Sequence, residues 1–317
     1  MRGKTKKKDV QEFELHLMDH ILALHHDLAN KTYVHGKYHA FRIADPKPRH
    51  IHKASVRDRL LHHAIYRILY PFFDRTFIAD SYSCRVGKGV HKALDRFQKF
   101  GSTASKNHTK TLWVLKGDVR KCFASVDQEV LMSILKQRIA DSDILWLLER
   151  IIESFPSRGE RESLPSTMRS FGRGLPLGNL TSQLLINIYL NELDQFMKHQ
   201  VRAKYSIRYA DDFVVFSQSK EELENILTLI DAFLVLNLRL ELHPDKVFIK
   251  TLASGVDFLG WVHFSDHRVL RTVTKKRMFR RLKETEGKEV VVASYLGMLT
   301  YGNGKKLEYE VKNLSGK

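Results

Sequence analysis

The chain has 317 residues and a formal net charge of +17, from 53 Lys and Arg against 36 Asp and Glu. That excess points to a polyanionic partner or a membrane surface, yet no apolar run nears the roughly 18 residues of a membrane span and the start lacks a signal-peptide core. Two cysteines, Cys84 and Cys122, exclude a disulfide framework and suit a reducing compartment; without CxxC pairs or an HExxH motif, structural zinc is not indicated.

Residues 2–8 carry five basic side chains and read as a mobile arm able to touch phosphate. The spacing of Phe13, Leu17, Ile21, Leu24 and Leu28 predicts a helix over 10–30. His16 and His20 stand four apart on it, but with no third ligand they read as a solvated face. Residues 36–49 read as extended and turn-rich, and 57–73 as a helix ending near Pro71. Gly87 and Gly89, among Arg85, Lys88 and His91, suit either a phosphate-contacting loop or a plain turn before a helix.

An apolar strand from Leu112 ends in Asp118. Residues 128–154 look helical and 155–173, rich in Pro, Ser, Gly and Arg, look like a loop. Leu184, Leu185, Ile188, Tyr189, Leu193, Phe196 and Met197 make a helical core stripe after Gly178-Asn179. Ser206–Phe216 reads as strand, tight turn, strand, with Asp211 and Asp212 at the tip. An amphipathic helix follows over 221–238, then short strands and turns over 240–262. From Leu270 to Lys283, seven of fourteen residues are basic and none acidic, beside Met278, Phe279 and Leu282. Such a helix suits a membrane surface, a partner or a nucleic-acid backbone.

The carboxylates carry the chemistry. An Asp-Asp pair alone reads as a polar hairpin. Paired with a second strand ending in Asp118, it can hold hard divalent cations for in-line phosphoryl transfer, because Mg²⁺ favours carboxylate oxygens and substrate phosphates.

Along nearly its whole length the chain resembles the reverse transcriptases. The segment Leu112–Phe123 is similar to the family's first palm motif, and Tyr209-Ala210-Asp211-Asp212 to its Tyr-x-Asp-Asp hairpin. Gly174–Gln183 is similar to the loop-and-helix motif under the template–primer, Lys47–Leu60 to the fingers motif and Val256–Trp261 to the primer grip. The resemblance implies an α+β right-hand polymerase with an antiparallel palm sheet: fingers at 1–111 with 140–175 inserted, palm at 112–139 and 176–264, and a small helical thumb at 265–317.

It implies site residues too. Asp118 and Asp211 become the principal ligands of two Mg²⁺ ions, replaceable by Mn²⁺, with Asp212 a weaker ligand and Val119 offering a carbonyl. Arg49 matches the arginine on the incoming deoxynucleoside triphosphate; Arg57 and Arg59 assist it or pair with Asp58. Phe123, five after Asp118, is either the steric gate against a ribose 2′-hydroxyl or a core ring. Lys246 is either the lysine that protonates pyrophosphate or an exposed residue after a turn. Tyr209, Phe258, Leu259 and Gly260 place the primer end, and Lys275, Lys276, Arg277 and Arg280 follow the duplex backbone from the thumb.

Two departures narrow the family. Where most members read Gln-Gly and Ser-Pro, this chain reads Leu177-Gly178 and Ser182-Gln183. That combination resembles the enzymes of diversity-generating retroelements; nothing within the chain resembles an RNase H, maturase or zinc-endonuclease region. The resemblance implies cDNA synthesis on a template-repeat RNA from a DNA or RNA primer, with errors at template adenines. Leu177 and Gln183 are candidates for that laxity, packing being the alternative for Leu177. A multimeric basic accessory protein is implied as partner, and a bacterial, archaeal or phage-encoded cytoplasmic enzyme as setting. The alternatives are a retron, compact group II intron or phage-defence enzyme, and an inactive RNA-binding scaffold.

Overall fold

The computed structural model describes residues 6–44, 48–155 and 172–315. Lys47 and most of the basic arm and of the 155–173 loop therefore lie outside the described residues. In chain order the elements are helices α1 (Lys8–Leu15) and α2 (Leu17–Ala29), strands β1 (His39–Ile43) and β2 (Arg49–Lys53), helix α3 (Val56–Asp74), strand β3 (Ser81–Tyr82), helix α4 (Val90–Ala104) and strand β4 (Trp113–Asp118). Helices α5 (Cys122–Ser125), α6 (Gln128–Arg138), α7 (Ser142–Glu153) and α8 (Leu180–Gln195) follow, then strands β5 (Ser206–Tyr209) and β6 (Asp212–Ser217) and helix α9 (Lys220–Leu238). The rest is β7 (Phe248–Thr251), β8 (Val256–Phe258), β9 (Trp261–His263), β10 (Arg268–Leu270), α10 (Thr272–Glu284), α11 (Glu289–Leu299) and α12 (Lys305–Ser315).

Two helix expectations need correction. The helix expected over 10–30 is two, because His16 takes a non-helical φ/ψ of −121°/35° between α1 and α2. The stretch 128–154 is also two: the chain extends at Ile139, and Asp141 restarts it by accepting the backbone N–H groups of Asp143 and Ile144. The helix expected over 57–73 is α3, Val56–Asp74, with Pro71 in its last turn. A proline there removes one backbone donor, and the helix ends three residues later.

The chain divides into two compact units. The first comprises 1–79, 119–196 and 231–243. In it α3 packs on α8 and α6 on both α7 and α8, burying Leu61, Ile65 and Leu69 with Leu131, Leu135, Leu148, Leu184 and Ile188. Ser55 caps α3 by accepting the N–H of Asp58. The β1–β2 hairpin pairs antiparallel, Ile43 opposite Arg49.

The second unit comprises 80–118, 197–230 and 244–317. Its five-stranded sheet has the order β3-β5-β6-β4-β7, antiparallel except for the parallel β3–β5 pair. The central strands β4 and β6 bury Val114, Leu115, Val214 and Val215, which is why both read as unbroken apolar runs. Phe97 and Phe100 of α4 pack on this sheet with Phe216 and Phe258. A smaller sheet, β10-β9-β8, leads into α10, α11 and α12, which close around Trp261, Leu270, Met278, Leu282 and Leu299. Gly302 carries no side chain because the Trp261 ring fills the space one would need.

Candidate active site

The register of β4 and β6 places Asp118 directly opposite Asp212 at one end of the sheet. Tyr209 is the partner of Asp212 across β5–β6, so Ala210 and Asp211 form a two-residue turn. Ala210 has the left-handed φ of 54° that such a turn demands. Sequence and sheet geometry thus bring three carboxylates to one strand edge.

Lysines engage two of them. The Lys246 ammonium, held in a single helical turn over Pro244–Lys246, donates to Asp118 Oδ1 at 2.8 Å. Lys116 lies two residues before Asp118 on β4, and its ammonium stands 3.7 Å from Asp212 Oδ1. Burial, then the neighbouring charges of Asp118 and Asp211, push the Asp212 carboxyl up to about 6, against the opposing pull of Lys116.

The turn is fixed from behind by Arg208. Its buried guanidinium donates to the Ala210 carbonyl through Nη1 and to Ser81 Oγ through Nη2, both at 2.9 Å. The Ala210 N–H in turn donates to the Tyr82 carbonyl at 3.2 Å. Tyr209 lies beside this turn, its hydroxyl pushed up by burial and bonded to the Ser83 side chain. Lys116 lies inside the segment matched to the first palm motif and Arg208 just before the Tyr-x-Asp-Asp hairpin, but the sequence assigned neither a role. The signal for them is a charged residue set among buried strand positions.

The donor set suits a divalent cation. Three carboxylates that repel one another in a half-buried corner gain from an ion between them, and Mg²⁺ needs only one or two protein carboxylates beside substrate phosphates. Among the described residues no group of three or more His, Cys, Asp or Glu side chains is placed to hold a metal ion by itself; Lys116 and Lys246 pair with Asp212 and Asp118.

The other predicted residues of this unit lie as follows. Phe258 is fully buried in the core, so of the primer-grip trio the β8–β9 turn presents Leu259 and Gly260. Both have positive φ, 50° and 85°. On α10, Lys276 and Arg280 are exposed and Lys275 and Arg277 half-buried; Lys275, Lys276, Arg280 and Lys283 line a groove with Phe279.

The remaining residues belong to the first unit. Arg49 is exposed at the start of β2. Arg57 is held by Asp27 and lies over the Tyr33 ring, and Arg59 donates to Asp9 at 2.8 Å. Asp58, the partner considered for both, bonds mainly to Tyr33, Gly36 and Ser55. Val119 is buried and bridges to Leu242. Phe123 is half-buried, and its carbonyl accepts the Leu175 N–H at 2.7 Å. The Leu177 carbonyl accepts the His52 N–H at 2.9 Å, and Asn179 spans the end of β2, donating to the His52 carbonyl at 2.8 Å and accepting from Ala54 N–H at 3.3 Å. At Gly178, with φ 110°, any side chain would strike Ile51. Gln183 is half-buried in the first turn of α8.

Comparison with known proteins places this geometry. Residues 43–263 match the family model described as reverse transcriptase (RNA-dependent DNA polymerase). Protein YkfC of Escherichia coli is 28% identical over 249 residues, covering 68% of this chain and 62% of YkfC. The group II intron-encoded protein LtrA of Lactococcus lactis is 24% identical over 291 residues, covering 72% of this chain and 46% of LtrA. The chain thus spans under two thirds of each relative's length. In fold it is similar to telomerase from Candida albicans, solved with a fragment of telomeric RNA, with a TM-score of 0.53 at 11% identity over 88% of this chain and 59% of that one.

Proposed function

The chain belongs to the reverse transcriptase family, and from that premise we propose that it copies RNA into DNA as part of a diversity-generating retroelement. The observation that carries the polymerase reading is the cross-strand pair Asp118 and Asp212 beside Asp211. Asp118, Asp211, Asp212 and the Val119 carbonyl are the groups for two divalent ions, Mg²⁺ or Mn²⁺. Bound there, such ions lower the pKa of a primer 3′-hydroxyl and neutralise charge on the leaving phosphates. Lys246 Nζ, beside Asp118, is the proton source for the departing pyrophosphate.

Arg49 takes the triphosphate of the incoming deoxynucleotide through its planar fork, and the half-buried Phe123 excludes a 2′-hydroxyl. Leu259 and Gly260 set the primer end, and the basic face of α10 follows the duplex backbone. In this reading fingers, palm and thumb run 1–111 with 140–175 inserted, 112–139 with 176–264, and 265–317. Template RNA, a DNA or RNA primer and a multimeric accessory protein are the partners, in the cytoplasm of a bacterium or archaeon or on a phage.

The narrower reading rests on Leu177 and Gln183. An apolar side chain offers no donor that a wrong pair leaves unsatisfied, so selection weakens. The group II intron-encoded relatives favour a second reading, an intron-type enzyme copying its own transcript. Primer extension followed by cDNA sequencing tests both. The retroelement reading expects extension lost in Asp118→Ala and Asp211→Ala, and errors concentrated at template adenines that fall in Leu177→Gln. Uniform errors would favour the intron reading, and extension by the Asp118 variant would remove the polymerase assignment itself.

A further inference from the structure

Behind the β8–β9 turn, the register of β9 and β10 sets His263 opposite Arg268. Both line a cavity of about 310 Å³ whose other walls include Phe97, Phe264, Tyr301 and Asn303. This cavity is separate from the carboxylate hairpin, and the polymerase chemistry makes no use of it.

His263 is 2% exposed. Its ring packs on Phe97 at 4.1 Å between centroids and bonds to the Phe258 carbonyl, while Nε2 has no partner. Burial and the charge of Arg268 push the imidazole down to about 3, so the ring is neutral. With Nδ1–H given to Phe258, Nε2 presents a lone pair. Arg268 donates through Nε to the Tyr301 carbonyl, and its Nη2 stands 3.7 Å from Asp95 Oδ1. Its Nη1 is buried with no partner.

Two lining residues set opposite one another across β9 and β10 thus carry a cationic donor and a neutral acceptor, both buried and without partners, beside aromatic walls. Two such unsatisfied groups, buried together, favour a ligand that answers both. A carboxylate or phosphate would suit Arg268 but turn its own lone pairs towards His263. A carbonyl adjacent to an N–H answers both at once. Guanine, uracil and thymine carry that edge on a flat ring that stacks on aromatic side chains. Adenine and cytosine offer instead a ring nitrogen beside an amino group, a poorer acceptor for a guanidinium.

We propose that this cavity binds a keto nucleobase, its carbonyl oxygen on Arg268 Nη1 and its ring N–H on His263 Nε2. The base comes from a free nucleotide or from a splayed base of a bound strand. Since His263 bonds to Phe258 and the Arg268 carbonyl accepts the Asn303 N–H at 2.8 Å, an occupant would tie the β8–β9 turn to the 300–303 segment.

The test is a titration of the full chain, with ¹⁵N-labelled histidine, by uridine, guanosine, adenosine, cytidine and a short oligouridylate. Uridine or guanosine is expected to move the His263 Nε2 resonance, binding about tenfold tighter than adenosine or cytidine, with Arg268→Lys weakening it by a similar factor. A shift with the oligonucleotide alone identifies a strand base as the source and equally supports the proposal. An unmoved Nε2 resonance with every probe, or equal binding of all four nucleosides, would overturn it; the wild-type titration decides even if the variant does not fold.

Discussion

The Phe213 ring occupies the space that a side chain at Gly117, its partner across β4 and β6, would need. Each of the two residues adjoins a carboxylate, Asp212 and Asp118. The glycine lets the ring lie beside the site without parting the strands. Gly117→Ala is expected to cost about 1–3 kcal/mol through overpacking and to cut primer extension, with Phe213→Leu restoring part of both. Thermal melts beside extension assays read this out; a variant that melts and extends like wild type refutes it.

Asp212 carries a charge that folding disfavours. Its carboxyl in the folded state is raised to about 6 from 3.8, so folding favours the protonated form. The carboxyl is harmless below pH 4, and its penalty grows as pH rises through 6. Asp212→Asn is therefore expected to stabilise the protein at pH 7.5 by at most about 3 kcal/mol and to be near neutral at pH 4. With the metal role proposed for Asp212, extension by the variant is expected to be lost at both pH values. Mg²⁺ should raise the melting temperature of wild type more than that of the variant. Destabilisation at pH 7.5 would contradict this.

His62 and His263 act with the opposite sign. Burial pushes them down to about 4 and about 3 from 6.5. Their unfolded forms take up protons first, so stability is full above pH 6.5 and falls as pH drops. Between pH 7 and pH 5 each is expected to remove about 2 kcal/mol. Urea midpoints at the two pH values measure the drop, and His62→Gln should shrink it; a flat profile in wild type would show that these rings are not held neutral.

The basic groove on α10 is expected to bind backbone rather than sequence. Replacing Lys276, Arg280 and Lys283 with Ala should make the slope of log K against log salt shallower by roughly 0.7 to 0.9 for each phosphate no longer neutralised. Arg277, which lies outside that groove, should matter less. Fluorescence anisotropy on two unrelated template–primers, over a salt series, checks both statements.

The carboxylate hairpin was legible in sequence because local rules specify it: apolar strands on each side and a polar two-residue turn between. The basic helix was legible for the same reason. What escaped was non-local. Nothing near Lys116 announces Asp212, ninety-six residues on and 3.7 Å away, nor does Arg208 announce Ser81. Adjacency did announce Asp58, 3.9 Å from Arg57 Nη1, but not Asp27, which holds the other end of the same guanidinium. The breaks at His16 and Ile139 were hidden because apolar spacing continues across them, whereas Pro71 rightly marked the end of α3 within one turn. Burial of Phe258 was equally invisible, since its neighbours in the core come from α4 and β6.

The tie between His52 N–H and the Leu177 carbonyl separates two jobs that a loop commonly mixes. Main-chain bonds and the Asn179 amide determine where residues 177–179 run, so the side chain at 177 does not. A substitution at 177 is therefore expected to leave the course of the loop intact, so that copying by a Leu177 variant reports on the side chain alone.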